Sequence, residues 1–436
     1  METFLRFFKK IIPRPIFAAL QPAYHWLLAW VAAFFYAFPS KKLKIIGVTG
    51  TNGKSTVVHL LAAILEEAGE KVASVSSLRF RINKKEEKNN LKMTMPGRFK
   101  LQKFLREAVR AGCKYVVIEV TSEGIKQFRH TGINFYMAVL TNVTPEHIES
   151  HGSFEKYRAA KAELFKKAPI HILNGEDPSV EYFLKISALS AGRPARQKIV
   201  YTKKDLPPDI HLKLLGDFNL ENAIAAYHAA KVLGVDREAI KRALEKVECV
   251  PGRLEFIQHE PFSAVVDYAH TPDALRKVYE TLRPLAGNPP SSKSDFGIQK
   301  KSDFFPGGRL VCVLGSAGGG RDKWKRPEMG KIAAEFCDEI VLTNEDPYDE
   351  NPATILNEIE AGFSKTPNYK PQTINYKKIL DRREAIRAAL KSAKSGDIVI
   401  IAGKGSEPWI MGPRGTKIPW DDREVVREEL KKIEKN

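Results

Sequence analysis

The segment Gly47-Val-Thr-Gly-Thr-Asn-Gly-Lys-Ser-Thr56 constrains the fold of this chain more than any other ten residues. It follows a strand-like apolar stretch at 43–46. It opens a helix-like stretch at 54–68, whose apolar residues recur at helical spacing before Gly69. A strand, a glycine-rich turn and a helix form the arrangement in which backbone N–H groups and a helix N-terminus bind phosphates. The sequence therefore predicts an ATP site.

Within this loop the residue types predict individual roles. Lys54 would reach the outer phosphates, and the hydroxyl of Ser55 or Thr56 would lie near Mg²⁺. The spacing differs from the common phosphate loop, because Gly47 comes one position early and Gly50 stands inside the turn. A glycine-rich turn without nucleotide is the alternative, and the flanking strand and helix argue against it. The predicted ATP contacts are Gly50, Thr51, Asn52, Gly53, Lys54, Ser55 and Thr56.

Further motifs follow the loop in a regular order along the chain. They are Glu119-Val-Thr-Ser122, Thr141-Asn-Val-Thr-Pro-Glu-His147, Tyr157–Phe165, Leu215–Asn222, Gly252–Glu255, Asp267–Asp273, Gly315–Asp322, Glu345-Asp-Pro-Tyr348 and Gly403–Glu407. In order and spacing, the chain from about Lys41 to its C-terminus resembles the Mur ligase family. Within that family it is most similar to the synthetases that add the third residue of the peptidoglycan stem.

Two of these motifs place polar side chains after apolar strand-like runs at 115–118 and 137–140. The carboxyl ends of parallel strands converge on one crevice, so Glu119 and His147 are expected beside the phosphate loop. A carboxylate oxygen and an imidazole nitrogen there suit Mg²⁺ shared with nucleotide phosphates. A lone histidine at a strand end is more often structural, but the neighbouring Asn142 and the loop favour a ligand.

The resemblance implies an ATP-dependent amide ligase. A substrate carboxylate would attack the γ-phosphate of ATP, and an incoming amine would then attack the resulting acyl phosphate. The implied catalytic residues are Lys54, Glu119, His147 and Lys161. The resemblance also implies two Mg²⁺ sites, whose ligands are Ser55, Glu119, His147 and, once carbamylated, Lys161. Asn222, Arg253, Asp267 and His270 match nucleotide contacts, and Arg321 and Asp322 lie in a motif that closes over the nucleotide.

The acceptor and the amino acid would be held by a second group of residues. These are Thr94, Pro96, Thr121, Ser122, Arg129, Glu345, Asp346, Tyr348, Gly403 and Glu407. Diaminopimelate-adding members carry an Asp-Asn-Pro-Arg motif where this chain ends its motif in Tyr348. A tyrosine cannot offer a carboxylate two parallel hydrogen bonds from a cation. Lysine, ornithine and diaminopimelate all remain candidates for the added amino acid.

Two other interpretations remain open. One is a related ligase of the folylpolyglutamate, cyanophycin or poly-γ-glutamate type, which the motifs around His147, Lys161 and Glu345 resemble less. The other is a non-catalytic nucleotide-binding scaffold for wall synthesis. The retained Lys54, Glu119, His147 and Lys161 argue against lost chemistry.

The order of elements predicts an α/β protein with largely parallel sheets. A central P-loop-type ATP-binding domain is expected over 41–250, and a Rossmann-like C-terminal α/β domain over 251–436. A surface loop without chemistry is expected at about 287–308. The chain has 436 residues and a net charge of +18, but no aromatic–basic nucleic-acid module. We therefore expect small-molecule substrates, no nucleic-acid partner and a monomer.

Four separated cysteines, at 113, 249, 312 and 337, are expected to be reduced thiols of a cytoplasmic protein. The sequence contains no Cys-x-x-Cys pair, so it does not predict a zinc site.

The chain departs from the family over its N-terminal 40 residues. Typical members carry a uridine-nucleotide-binding domain before the phosphate loop, and that domain would not fit in the residues that precede the loop here. Residues 15–39 contain no charged side chain, and basic residues flank them. Pro22 is expected to break the segment, which leaves it short for a bilayer span. Three alternatives remain: a helix packed on the central domain, an anchor at the inner membrane surface, and a true span. A cleaved leader is not expected.

Overall fold

The structure is a computed structural model that describes residues 14–91, 93–189, 195–286, 307–366 and 374–435. The predicted surface loop at 287–308 lies almost wholly outside these ranges. The α-helices are α1 Arg14–Phe35, α2 Lys54–Glu67, α3 Arg98–Arg110, α4 Ser122–Lys126, α5 Ile148–His151, α6 Phe154–Phe165, α7 Val180–Leu189, α8 Asp217–Val232, α9 Arg237–Lys246, α10 Pro272–Leu282, α11 Lys325–Phe336, α12 Pro352–Glu360, α13 Arg382–Ser392 and α14 Asp422–Ile433.

The strands alternate with these helices in most of the chain. They are β1 Lys44–Thr49, β2 Val72–Val75, β3 Arg79–Ile82, β4 Lys85–Lys88, β5 Tyr115–Glu119, β6 Phe135–Leu140, β7 Ile170–Asn174, β8 Gln197–Tyr201, β9 Glu255–Gln258, β10 Ser263–Asp267, β11 Leu310–Leu314, β12 Glu339–Leu342, β13 Asn375–Lys378, β14 Ile398–Ala402, β15 Trp409–Met411 and β16 Lys417–Pro419.

The first sheet has eight strands in the order β4-β3-β2-β5-β1-β6-β7-β8. It is parallel from β2 to β8, and the β3–β4 hairpin adds an antiparallel edge. Strand β1 lies between β5 and β6, with Val48 opposite Glu119 and Thr49 opposite Leu140. Three strand ends therefore meet at one point of the sheet edge, directly beside the phosphate loop.

Alternating residues of β1 explain why this strand is central. Ile46 and Val48 enter the core under α2, α8 and α9, while Ile45 enters the opposite core under α3, α6 and α7. A strand covered by helices on both faces needs apolar residues at almost every position.

The second sheet has the order β13-β12-β11-β14-β10-β9, and only β9 is antiparallel within it. A two-stranded sheet, β15–β16, stands apart. The predicted α/β fold class is confirmed. Both strand and helix positions also follow the sequence periodicity closely, as β11 at Leu310–Leu314 illustrates.

Two local predictions are wrong. Helix α1 continues through Pro22, which lies inside its 22 residues. A proline removes a single backbone N–H, and a helix that packs on a neighbour can tolerate that loss.

Cys312 and Cys337 are joined by a disulfide, although 25 residues separate them. Strands β11 and β12 are neighbours, and this pairing brings the two cysteines together. Cys113 and Cys249 are free.

The part of the chain built on the eight-stranded sheet is here called the first domain, and the part built on the six-stranded sheet the second. Helix α1 packs on the first domain through small residues. Ala29, Ala32 and Ala33 are buried, and a Cβ added to Gly132 would lie 2.7 Å from the Cβ of Ala33. In the part of the chain that the structure describes, no helix combines the length and the apolar character that crossing a bilayer requires.

Candidate active site

The phosphate loop lies between β1 and α2, and two of its glycines cannot be replaced. Gly50 has a φ of +155°, and a Cβ there would come within 1.8 Å of the Thr141 hydroxyl. Gly53 has a φ of +81°, and its Cβ would meet the Asn222 side chain at 2.2 Å. Both positions require a residue without a side chain because neighbouring elements close on the loop.

Lys54 opens α2 and turns its ammonium back over the loop. Its Nζ donates to the carbonyl oxygens of Gly50 and Thr51 at 3.1 and 2.8 Å. The Glu119 carboxylate lies 3.8 Å from the same nitrogen. Burial lowers the pKa of Lys54, and the charge of Glu119 opposes this effect. The ammonium is thus held where an outer phosphate would meet it.

Hard oxygen atoms collect beside Lys54. The Ser55 hydroxyl donates to Glu119 Oε2 at 2.7 Å and lies 2.8 Å from the Ser77 hydroxyl. The backbone N–H of Ser77 donates to the same carboxylate oxygen at 3.0 Å. Across the described residues, no three His, Cys, Asp or Glu side chains come close enough to hold a metal alone. The hydroxyl and carboxylate donors nevertheless fit Mg²⁺, which normally completes its shell with waters and substrate phosphates.

Lys161 projects from α6 into the same place. It is 1% exposed, its Nζ donates to the Gly50 carbonyl at 2.6 Å, and it lies 4.3 Å from the centre of the Tyr157 ring. Burial lowers the pKa of Lys161 far below its usual value, and the nearby charge of Lys54 lowers it further. Two lysines therefore share one carbonyl oxygen, and Lys161 favours the neutral amine.

His147 stands at the N-terminus of α5 with a left-handed φ of 57°. The next two backbone N–H groups, of Ile148 and Glu149, donate to the Asp322 carboxylate at 3.2 and 3.0 Å. Burial lowers the pKa of His147 to about 3, and the charge of Arg321 adds to this effect. Its imidazole is therefore neutral at physiological pH, as a metal ligand or hydrogen-bond acceptor must be.

The predicted nucleotide contacts of the second domain line the same cleft as the loop. Arg253 lies over the Tyr268 ring, with 4.1 Å between the guanidinium carbon and the ring centre. Asp267 accepts two backbone N–H bonds of 2.6 Å, so its carboxylate fixes the turn after β10. His270 donates from Nδ1 to the Tyr268 carbonyl at 2.8 Å. Burial and the charge of Lys325 lower the pKa of His270 well below its ordinary value.

A second group of residues at the cleft consists of carboxylates around a fully buried lysine. Lys404 Nζ donates to both oxygens of Asp346, at 3.0 and 3.1 Å, and to Glu407 Oε2 at 2.5 Å. The Tyr268 hydroxyl donates to Glu407 Oε1 at 2.9 Å. Glu345 is buried, and its Oε2 has no hydrogen-bond partner among the residues described. Burial raises the pKa of Glu345.

The two domains are joined directly around the cleft. The Asn52 side chain donates to Asp273 at 3.1 Å. Lys325, which is buried, donates to Glu146 at 3.3 Å. Together the domains enclose a cleft of about 250 Å³ that both clusters line.

Comparison with known proteins agrees with this arrangement. Residues 48–230 match the model of the Mur ligase middle domain, and residues 297–405 match that of the Mur ligase glutamate ligase domain. A Gloeobacter violaceus protein named UDP-N-acetylmuramoyl-L-alanyl-D-glutamate–2,6-diaminopimelate ligase is 38% identical over 426 residues, which cover 93% of this chain and 80% of that protein. The chain belongs to the Mur ligase family.

Two further similarities support the assignment to the Mur ligases. A UDP-N-acetylmuramyl-tripeptide synthetase of Roseiflexus is 36% identical over 454 residues, covering 96% of this chain and 84% of that protein. A solved structure of a UDP-N-acetylmuramoyl-L-alanyl-D-glutamate–2,6-diaminopimelate ligase has a TM-score of 0.56 and 29% identity, with 90% of this chain and 79% of that chain covered. The protein is thus an ATP-dependent ligase that forms carbon–nitrogen bonds between small-molecule substrates, with Mg²⁺ as its metal.

Most residues predicted for this Mur ligase site line the cleft. They are Gly50, Thr51, Asn52, Gly53, Lys54, Ser55, Thr56, Thr94, Glu119, Thr121, Ser122, His147, Lys161, Asn222, Arg253, Asp267, His270, Glu345, Asp346 and Glu407. Thr121 also caps α4 by accepting from the Gly124 N–H at 3.1 Å.

Four predicted residues are not among those that line it: Pro96, Arg129, Tyr348 and Gly403. Arg129 instead donates to the Gln127 side chain at 2.7 Å. The Tyr348 backbone N–H donates to the Met411 carbonyl at 3.1 Å.

Sequence reasoning missed several residues that line the cleft or hold its charges. Ser77 follows β2 without any recognisable motif, and Glu146 and Lys325 pair only across the domain boundary. Lys404 stands between two glycines of a recognised motif, Gly403 and Gly405. The sequence thus pointed to this segment, but no role was predicted for the charge of Lys404. Asp322, which lies in the motif predicted to close over the nucleotide, accepts from the backbone next to His147, a contact that the sequence did not indicate.

Proposed function

We propose that this Mur ligase adds a diamino acid (diaminopimelate, lysine or ornithine) to a carboxylate of a muramoyl-peptide-type acceptor in peptidoglycan precursor synthesis. The observation that carries the proposal is the division of charge in one cleft. Lys54 lines the cleft at the phosphate loop, and the carboxylates of Asp346, Glu345 and Glu407 line it as a second group beside Lys404. Phosphates suit the first group, and the ammonium group of an amino acid suits the second.

The chemistry follows from this placement. An acceptor carboxylate oxygen forms a bond to the γ-phosphorus of ATP while the bond to the β-phosphate oxygen breaks, which releases ADP. The amine nitrogen then bonds to the acyl carbon, the phosphate leaves, and the nitrogen loses a proton. Lys54 stabilises charge on the transferred group, and the carboxylate group that includes Glu407 holds the amine. Mg²⁺, held by Ser55 and Glu119 oxygens, would screen the phosphate charge.

The identity of the amino acid rests on two groups near the carboxylate cluster. Arg321 lines the cleft, and its charge interacts with the side chains of Tyr348 and Glu407. Its guanidinium can receive a substrate carboxylate. Tyr348 adds no second cation, so a distal carboxylate gains less here than at an arginine. The relatives named as diaminopimelate ligases make that amino acid the first to test.

We further propose that Lys161 is carbamylated in the active enzyme. Carbon dioxide reacts with the neutral form of an amine, and burial lowers the pKa of Lys161 and so favours that form. Carbamylation would also replace the amine at the Gly50 carbonyl with an anion that can hold a second Mg²⁺ together with His147. We also propose that the enzyme is a monomer and that it is located in the cytoplasm.

The function is tested by incubating the full chain with ATP, Mg²⁺, candidate acceptors and each amino acid in turn. Phosphate release and mass spectrometry of the product are measured together. Phosphate release that depends on a UDP-linked muramoyl dipeptide and one diamino acid supports the proposal. Release that depends instead on a folate or a poly-glutamate acceptor would overturn it.

Carbamylation is tested with Lys161→Ala. The substitution should lower turnover about a hundredfold, because it removes a charge from the phosphoryl-transfer site. Added short carboxylates should restore part of this activity, while the matched Lys156→Ala variant, at an exposed position of α6, should need no restoration. Labelling with ¹³C-bicarbonate should give a carbamate signal that Lys161→Ala lacks. An unlabelled wild-type enzyme with full activity would contradict the proposal.

A further inference from the structure

Helix α1 carries large apolar side chains on the side that faces away from the protein. Its packed side uses small residues, since Ala29, Ala32 and Ala33 are at most 1% exposed. At helical spacing on the opposite side, Leu27 is 55% exposed and Phe34 is 75% exposed. The complete surface, here called the apolar face of α1, consists of Leu20, Tyr24, Trp26, Leu27, Trp30, Val31, Phe34 and Phe35. A continuous exposed surface of this kind marks an interaction site.

Aromatic rings continue this face beyond the helix. The rings of Trp26 and Trp30 lie 6.2 Å apart, and Trp30 and Phe34 each lie 6.3 Å from Phe38. The ammonium of Lys41 lies 5.1 Å from the centre of the Phe38 ring. A cation therefore stands directly at the edge of the exposed aromatic cluster.

The surroundings of the face are strongly basic. Between Glu2 and Glu66 the sequence contains no acidic residue, and Lys41 and Lys42 are exposed. Phe35 contacts Phe99 at 6.3 Å, which places α3 beside the face. Helix α3 has five basic residues, Arg98, Lys100, Lys103, Arg106 and Arg110, and a single acidic one, Glu107. The apolar face thus has lysines at one end and a basic helix at its side, together called its cationic rim.

We propose that the apolar face of α1 binds the interface of an anionic lipid bilayer and holds the ligase at that surface. Tryptophan and tyrosine favour the headgroup level, and lysines beside them favour anionic lipids. The helix packs on α3 through its other side, so it would lie along the membrane. A second copy of the chain fits less well, because a two-fold contact would bring the lysine rims against each other.

The test is co-sedimentation of the full chain with vesicles. Vesicles of phosphatidylglycerol and phosphatidylcholine should retain the protein, and vesicles of phosphatidylcholine alone should retain at least tenfold less. Tryptophan fluorescence should shift to shorter wavelength on binding. The combined variant Leu27→Gln, Val31→Gln and Phe34→Gln should lose binding at least tenfold. The separate variant Lys41→Glu with Lys42→Glu should weaken it in a salt-dependent way.

A matched control places glutamine at two exposed apolar positions elsewhere, Val200 and Ile418, which are 42% and 54% exposed. This control should bind vesicles like the wild type. All variants should keep the melting temperature and ATP turnover, because the changed side chains face away from the core. A wild-type protein that stays in solution with anionic vesicles overturns the proposal. So does a concentration-dependent dimer that the triple variant abolishes while vesicle binding is absent.

Discussion

Two groups of residues at the cleft are built in opposite ways. In the first, here called the phosphate end, Lys54 lies 3.8 Å from the Glu119 carboxylate and shares the Gly50 carbonyl with Lys161. In the second, here called the proposed amino-acid end, the ammonium of Lys404 pairs with the carboxylates of Asp346 and Glu407, and Glu345 lines the cleft as well. The phosphate end thus offers a cation to phosphates, and the amino-acid end offers carboxylates to an ammonium group.

The ends also differ in what holds them. The phosphate end is fixed by backbone, through a loop whose glycines approach neighbouring elements closely and through adjacent strand ends. The amino-acid end is fixed by side-chain ion pairs around one buried lysine. Changes at the first end should therefore affect catalysis with little effect on folding, and changes at the second should affect both.

The largest effect is expected from Lys54→Ala. Losing the cation that faces the outer phosphates should lower ATP turnover by about a hundredfold or more. The melting temperature should stay close to that of the wild type, because among the described residues the Nζ atom bonds only to loop carbonyls besides its contact with Glu119. Turnover by the phosphate-release assay and melting by circular dichroism separate these two quantities.

An exposed lysine of the same domain provides the control. Lys71→Ala should leave turnover unchanged. If Lys54→Ala retained wild-type nucleotide affinity and turnover, the assigned role of the phosphate loop would be wrong.

A smaller effect, on both the unfolding free energy and the KM for the amino acid, is expected from Lys404→Met. It leaves buried carboxylates without their cation, which should cost about 3 kcal/mol of unfolding free energy. Burial lowers the pKa of Lys404, but Glu407 and Asp346 outweigh this and raise it overall. Burial raises the pKa of Glu345 and the charge of Lys404 opposes this effect, so the pKa of Glu345 should rise further without the lysine. The variant should therefore recover stability as the pH falls and Glu345 becomes protonated.

Urea unfolding at neutral and at mildly acidic pH measures this recovery, and the KM for the amino acid should rise at the same time. Lys394→Met, at an exposed position of the same domain, is the matched control and should change neither quantity. A destabilisation independent of pH would mean that packing, not charge, explains the role of Lys404.

The same contrast explains how much of the molecule was predictable. The phosphate end could be inferred because its residues are consecutive, or follow apolar runs that become neighbouring strands. Glu119 is an example, since β5 pairs directly with β1. Ser77, and the use of Asp322 to hold the backbone beside His147, depend on contacts between distant segments. The pairing of Cys312 with Cys337 likewise follows from sheet order, which periodicity does not define.

The smallest effect, and the sharpest test of the amino-acid end, is expected from Tyr348→Arg. Tyr348 has a left-handed φ of 52°, a backbone strain that arginine would share, so the fold should persist. A second guanidinium near Arg321 offers a charged hydrogen bond to a distal carboxylate, worth about 1.5 kcal/mol or more. The ratio of kcat/KM for diaminopimelate over lysine should therefore rise about tenfold. Tyr348→Met, which removes the phenol without adding charge, should leave this ratio near the wild-type value. An arginine variant with an unchanged ratio would place the distal group of the amino acid elsewhere in the cleft.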